Sequence, residues 1–189
     1  MLDLNHQPKL HERLSALVDH ALQAAEARQE RRRYLGASRL GVACERALQY
    51  EYAQAPIDPG REFSGSLLRI FRRGHVIEDC MVEWLRAAGF DLRTRDPQGE
   101  QFSFSLLDGR LQGHVDGVIV GGPEGFDYPC LWENKCLGSK SFRELHKHGL
   151  AVAKPIYAAQ VAVYQAYLQL HEHPALFTAV NADSMDLYA

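Results

Sequence analysis

Three ionisable side chains interrupt two apolar runs that otherwise have the composition of β-strands. Residues 111–120 are rich in β-branched and apolar side chains, a Gly-Gly-Pro segment follows, and residues 130–136 resume the pattern. Such runs, separated by turn residues, predict two strands joined by a turn. Asp116 falls inside the first run, and Glu133 and Lys135 fall inside the second. Because side chains alternate along a strand, Glu133 and Lys135 share a face. If the strands pair, Asp116 lies beside them.

Two carboxylates on neighbouring strands repel each other unless a cation lies between them. Hard divalent ions such as Mg²⁺ prefer carboxylate oxygens, and a lysine beside the ion can orient water or stabilise a phosphate. This pattern therefore indicates a metal-assisted site at Asp116, Glu133 and Lys135. The alternative interpretation is a surface hairpin whose charges are exposed to solvent.

Other stretches of the chain complete an ordered set of four elements. Together they resemble the PD-(D/E)XK nuclease superfamily, in particular its RecB-like and lambda-exonuclease-like (YqaJ-type) branch. Val115 stands where the superfamily name has a proline, and the resemblance covers roughly residues 36–183. The matching elements are Gly74-x-x-x-Glu78, Asp116, Glu133-Asn134-Lys135 and Gln160-x-x-x-Tyr164.

The resemblance implies a role for each matching position. Glu78, Asp116 and Glu133, with the carbonyl of Asn134, would hold one or two Mg²⁺ or Mn²⁺ ions. Asp116, Glu133, Lys135 and Gln160 would form the catalytic set, in which Lys135 positions the attacking water. Gln160 and Tyr164 would hold the scissile region of the DNA.

The implied activity is metal-dependent hydrolysis of DNA phosphodiester bonds. An exonuclease acting on DNA ends in phage-type recombination or repair is the leading hypothesis. A structure-specific endonuclease of the same fold, or a non-catalytic nucleic-acid-binding protein that keeps the fold, are the alternatives. The expected partners are linear duplex or single-stranded DNA ends, with a homo-oligomer or a single-strand-annealing protein as further candidates.

The predicted fold is α/β, as a single domain spanning residues 1–189. The resemblance implies a restriction-endonuclease-like core over residues 36–183, with a mixed central sheet of three antiparallel strands and one later strand, flanked by helices. Residues 1–35 are predicted to form an N-terminal helical arm, with a helix over residues 9–33, because apolar residues recur there at helical spacing. This helix is either a packing arm or an oligomer contact. Ser38 is the predicted N-cap of a second helix that runs to about Tyr52.

Positive charge is concentrated ahead of the predicted site. Between Arg28 and Arg73 the sequence has ten arginines, no lysine and five acidic residues, which is an excess of five positive charges. Arginine forks match phosphate oxygens, so Arg39, Arg46 and Arg73 are predicted to contact DNA. The resemblance implies a DNA contact for Tyr164 as well. For the group from Arg28 to Arg33, a solvated helix face is an equally good interpretation.

Composition narrows the class of protein further. The chain has a net charge of −3, which by itself does not indicate a nucleic-acid-binding protein. No apolar run approaches the roughly 20 residues that a membrane span requires. The N-terminal sequence lacks the apolar segment of a signal peptide, so a cytoplasmic location without membrane association is expected.

Overall fold

The computed structural model describes residues 7–189, and these form a mixed α/β structure. The chain divides into two compact units. One unit comprises the described residues up to Arg32 together with Pro56–Arg73. The other comprises Arg33–Ala55 and Gly74–Ala189, and it contains all of the sheet structure. No helix among the described residues is both long enough and apolar enough to cross a membrane.

Five α-helices are present in the described chain. The first lies in the smaller unit, and the third begins in the smaller unit and continues in the larger one from Gly74. The fourth is kinked at Gly149, whose φ of 73° lies in the region that favours glycine. The helices are α1 (Leu10–Ala27), α2 (Glu45–Tyr52), α3 (Gly65–Ala87), α4 (Ser139–Ala153) and α5 (Pro155–Tyr167).

The strands form two sheets. A three-stranded sheet has the order β1-β4-β3, and a five-stranded mixed sheet has the order β2-β5-β6-β7-β8, where β6 pairs antiparallel with β5 and parallel with β7. The strands are β1 (Leu35–Gly36), β2 (Leu92–Arg93), β3 (Ser103–Leu106), β4 (Leu111–His114), β5 (Gly117–Ile119), β6 (Cys130–Leu137), β7 (Ala175–Asn181) and β8 (Leu187–Tyr188).

The central strand β6 is buried on both faces because a hydrophobic cluster lies on each side of it. On one face, Leu131 packs with residues of α4 and α5, including Leu145 and Val161. On the other face, Trp132 packs with Ile77 and Met81 of α3. Polar side chains on β6 are thereby enclosed by apolar layers, which is an expensive environment for a charge.

The mixed α/β class is confirmed, but several predicted elements have different bounds. The run 111–120 is one strand in the prediction and two strands in the structure, because β4 and β5 pair with different partners and belong to different sheets. The prediction of one central sheet therefore missed the smaller sheet. Ser38 is not a helix N-cap, since it lies in a 3₁₀ turn at Ala37–Arg39 and α2 begins after Cys44.

The first helix also differs from its prediction. The sequence predicts it over residues 9–33, as a packing arm or an oligomer contact, whereas α1 ends at Ala27 and contains no buried residue. Leu10, Leu14 and Leu17 are exposed. The helical spacing is therefore confirmed, but the predicted end of the helix at residue 33 is wrong.

Candidate active site

Strand β6 supplies three consecutive polar residues to the candidate site. Glu133 is 1% exposed, and its Oε1 accepts hydrogen bonds from the ammonium of Lys135 and from Nε2 of Gln160, the latter at 2.7 Å. The ion pair between Lys135 and Glu133 shows that both side chains lie on one face of β6, as the strand period predicts. The Lys135 ammonium also contacts the carbonyl oxygen of Asn134 at 3.2 Å.

Asp116 lies in the break between β4 and β5. Its Oδ2 accepts a hydrogen bond from the backbone N–H of Asn134 at 2.8 Å, which ties the break to the middle of β6. The β5–β6 register, which pairs Gly117 with Trp132, brings Asp116 next to Glu133. The prediction that Asp116 lies beside the second strand is therefore confirmed, although its position is a strand junction rather than a strand interior.

Glu78 reaches the same region from α3. Its side chain is one-third exposed, at 33%, and its Oε2 lies 3.9 Å from Nδ1 of His75 one turn earlier. The charges of Asp116 and Lys135 both act on the Glu78 carboxyl. Glu78 is thus electrostatically coupled to the β6 residues while retaining access to solvent.

Gln160 and Tyr164 lie one turn apart on α5 and are both buried. The Gln160 amide donates to Oε1 of Glu133, and it also acts electrostatically on the Tyr164 side chain. The Tyr164 ring packs edge-on against Phe104, with ring centroids 5.8 Å apart. Because its ring is 3% exposed, Tyr164 supports Gln160 in this structure, and its predicted contact with DNA stays a prediction.

The electrostatics of the cluster favour protonation of its acids. Burial, then the neighbouring charge of Asp116, raises the pKa of Glu78 to about 7. Burial raises the pKa of Glu133 to about 8, with Lys135 opposing this effect and Asp116 adding to it. Burial also raises the pKa of Asp116, against the opposing effect of Lys135. For Lys135, burial lowers the pKa, but the charges of Glu133 and Asp116 outweigh burial, so the net direction is upward and the ammonium persists at neutral pH.

A buried polar relay behind β6 was missed by the sequence analysis. The Trp132 indole N–H donates to the Thr178 hydroxyl at 3.0 Å, and that hydroxyl donates to the Asn134 side-chain oxygen at 2.9 Å. The relay anchors Asn134, whose backbone N–H and carbonyl contact Asp116 and Lys135. The only signal in the sequence was a threonine inside the apolar run of β7.

The chemistry of the donor set fits a divalent metal ion. Three carboxylates and one ammonium leave an excess of two negative charges when all are ionised. Oε2 of Glu133 is the one buried side-chain nitrogen or oxygen atom in the described chain that lacks a hydrogen-bond partner. A buried unpaired carboxylate oxygen is costly, and a hard cation would satisfy it.

The three acids are not gathered into a ready-made cage. Among residues 7–189, no group of three or more His, Cys, Asp or Glu side chains is arranged so that it could hold a metal ion. Binding of one ion by Glu78, Asp116 and Glu133 together therefore requires side-chain movement. Glu78 has room to move because it is partly exposed.

The arginines predicted to bind DNA are exposed, but they differ in their partners. Arg39 makes a forked ion pair with Glu51, with nitrogen–oxygen distances between 2.6 and 3.1 Å. Arg46, in the first turn of α2, is exposed. Arg73 is exposed on the segment of α3 that belongs to the smaller unit. Of these three arginines, only Arg39 has an ion-pair partner among residues 7–189, and it must give up that partner before it can bind phosphate.

Comparison of the chain with protein-family models, with curated proteins and with solved structures finds no match.

Proposed function

We propose that the protein is a metal-dependent deoxyribonuclease with a restriction-endonuclease-like core, acting on DNA ends. The observation that carries the proposal is that three sequence elements, far apart in the chain, meet at the middle of β6, with the charge of Glu78 acting on them from α3. Oε1 of Glu133 is held by Lys135 and Gln160, while its Oε2 has no partner among the described residues. Asp116 is tied to the same strand through the Asn134 N–H.

Glu78, Asp116 and Glu133, with the Asn134 carbonyl, are the groups that would hold Mg²⁺ or Mn²⁺. Such an ion supplies Lewis acidity and lowers the pKa of water, which favours attack on phosphorus at neutral pH. The ligand set contains only oxygen atoms, which suits these hard cations better than zinc or copper.

The chain's own residues then divide the remaining work. The Lys135 ammonium, fixed between Glu133 and the Asn134 carbonyl, presents a positive charge that stabilises negative charge developing on a phosphate. Gln160 fixes the orientation of Glu133, and the Asn134 N–H fixes Asp116. In the overall reaction, water adds to phosphorus, the P–O ester bond breaks, and the departing oxygen takes up a proton. The products are one terminal phosphate monoester and one hydroxyl group.

The test is a cleavage assay on matched linear and circular duplexes. The unmodified protein is expected to degrade linear DNA with Mg²⁺ or Mn²⁺ and to stop when EDTA is in excess. Glu133→Gln, which keeps the shape and removes the charge, serves as the inactive comparison. Activity that persists in excess EDTA, or in Glu133→Gln, would overturn the proposal. Cutting of the circular substrate at a comparable rate would instead identify an endonuclease.

A second candidate is a non-catalytic nucleic-acid-binding protein with the same core. The observation in its favour is that Lys135 pairs directly with Glu133 and that the acids of the described chain are not grouped for metal binding. This candidate predicts DNA binding that is equal in EDTA and in Mg²⁺, with no product under either condition.

A further inference from the structure

One face of α1 carries an apolar stripe that is exposed in the part of the chain that the structure describes. Leu10 is 80% exposed, Leu14 is 60% exposed and Leu17 is 70% exposed, which is unusual for three leucines on one helix. Ala21 and Ala24, which continue the stripe, are exposed as well. Exposed apolar stripes of this kind mark interaction surfaces more often than isolated exposed leucines do.

The spacing of the stripe specifies the shape of its partner. These five residues are separated by four, three, four and three positions, which is the a/d pattern of a heptad repeat. At 100° per residue they lie within about 80° of one another, so the stripe is a narrow seam. A narrow a/d seam fits a single partner helix, whereas a membrane surface fits a wider face with aromatic residues. The sequence of α1 contains no Phe, Tyr or Trp.

The opposite face of α1 already has its contacts within the same unit. Asp19 forms an ion pair with Arg69, and Gln23 donates to the Phe63 carbonyl at 3.0 Å. A Cβ added at Gly65 would overlap the Asp19 side chain, so this face packs closely. The seam is therefore left over after α1 has packed.

Charge is segregated between these two faces. When Leu14 is assigned to an a position, all three acidic residues of α1 fall at f positions, on the face opposite the seam. They are Glu12, Asp19 and Glu26. The g positions beside the seam hold Arg13 and His20, and Lys9 and Arg28 flank its two ends. No acidic residue occupies an a, d, e or g position of α1.

This segregation identifies the chemistry of the partner. In coiled coils, residues at e and g pair with charges on the facing helix. A second copy of α1 would place no acid opposite Arg13, so self-pairing leaves the basic border unmatched. We propose that the α1 seam binds a helix of another protein that has apolar a and d positions and Asp or Glu at its e and g positions.

The experiment uses the full chain and two synthetic four-heptad peptides as probes. Both have Leu at a and d, and they differ in having Glu or Lys at all e and g positions. The unmodified protein is expected to bind the Glu peptide at least about ten-fold more tightly than the Lys peptide at pH 7, with salt weakening the preference. Arg13→Glu combined with His20→Glu is expected to reverse the preference.

Two further variants distinguish binding at the seam from non-specific hydrophobic binding. Leu14→Glu with Leu17→Glu is expected to lose binding of both peptides, and circular dichroism would verify that the helix content is unchanged. Val152→Glu is the matched control, because Val152 is 73% exposed on α4 and lies outside the seam. This variant is expected to bind like the unmodified protein.

Several results would overturn the proposal, four of which concern the peptides or self-association. They are the absence of binding, equal binding of both peptides, binding that survives the double leucine variant, and self-association that this variant disperses. The last result would identify a second copy as the occupant. Binding to anionic vesicles that the Glu peptide does not displace would identify a lipid surface and would equally exclude the proposed partner. None of these readouts depends on nuclease activity.

Discussion

Strand β6 and helix α1 violate the usual distribution of polar and apolar residues in opposite directions. In β6, Glu133 is 1% exposed, and Asn134 beside it is 6% exposed. In α1, Leu10 is 80% exposed. Buried polar groups and exposed apolar patches are both more informative than ordinary residues, because each costs free energy unless a partner compensates it. For β6 the compensating partners are mostly within the chain, and for the α1 stripe there are none among residues 7–189.

This difference shows what determines the geometry of each region. The carboxylate of Glu133 is held by two side chains from different elements, so its geometry is fixed by the fold itself. The α1 seam is fixed only by heptad spacing and by the border of basic charge. We therefore expect changes in β6 to act on stability and chemistry, and changes in the α1 seam to act on binding alone.

The largest expected effect tests this contrast on three leucines. Leu131→Ala, at a fully buried position of β6, should lower the free energy of unfolding by about 2–5 kcal/mol. Leu17→Ala should change it by no more than about 0.5 kcal/mol, because that side chain is 70% exposed. Leu187→Ala, exposed at 58%, is the control in the same compact unit as Leu131. Urea unfolding measures all three, and a large loss for Leu17→Ala would show that the seam is covered within the chain.

Sequence reasoning succeeded where the relevant geometry was local. Period-two alternation placed Glu133 and Lys135 on one face, and helical spacing placed Gln160 and Tyr164 one turn apart. It failed where the answer depended on distant partners. The change of sheet at Asp116 is set by which strands pair with β4 and β5, and those partners come from elsewhere in the chain.

What covers the apolar stripe of α1 stayed open for the same reason. An apolar face at helical spacing shows that a helix is amphipathic, but it does not show what covers that face. The relay through Thr178 was likewise invisible, because it needs the parallel pairing of β7 with β6 that brings Thr178 opposite Asn134. Long-range pairing, rather than local propensity, accounts for each of these differences.

The next largest effect separates metal binding from chemistry within the buried cluster. Asp116→Ala removes an anionic ligand, so calorimetric titration should show a collapse of metal affinity together with loss of turnover. Lys135→Ala removes a cation near the carboxylates, so metal should bind as well or better. Turnover of Lys135→Ala should still fall by about 10² or more, because a fixed charge near the phosphate is lost.

Two control measurements separate a loss of catalysis from a loss of folding or of DNA binding. Both variants are tested for folding by circular dichroism and for DNA binding in Ca²⁺, which fits oxygen sites. Binding should survive in Lys135→Ala. A folded Lys135→Ala protein that cuts DNA at the normal rate would show that the lysine is not part of the catalytic set.

A smaller effect concerns the pH dependence of stability, measured in EDTA. Burial raises the pKa of Glu133 from 4.5 to about 8, so between these values the folded protein binds a proton that the unfolded chain does not. Stability should therefore fall as pH rises through this window, and little change from this group is expected below pH 4.5. In Glu133→Gln the decline should be shallower, as measured by thermal melts at pH 5, 6, 7 and 8. Glu172→Gln, at an exposed position, is the control. An equal slope in both variants would assign the decline to other groups.

The smallest effect on stability and binding is expected from substitution of the exposed arginines, which are neither buried nor part of the α1 seam. An exposed ion pair contributes roughly 0–1 kcal/mol, so neither Arg39→Ala nor Arg46→Ala should alter stability measurably. Arg46→Ala should reduce the slope of log binding constant against log salt by about one unit if Arg46 contacts a phosphate. Arg39→Ala should reduce it less, because Glu51 competes with phosphate for the guanidinium.

Glu51→Ala should then strengthen DNA binding in the parent but not in Arg39→Ala, which is a double-mutant comparison made at several salt concentrations. An unchanged slope in both arginine variants would locate the DNA contact elsewhere. Equal gains from Glu51→Ala in both backgrounds would show that the ion pair does not restrain Arg39.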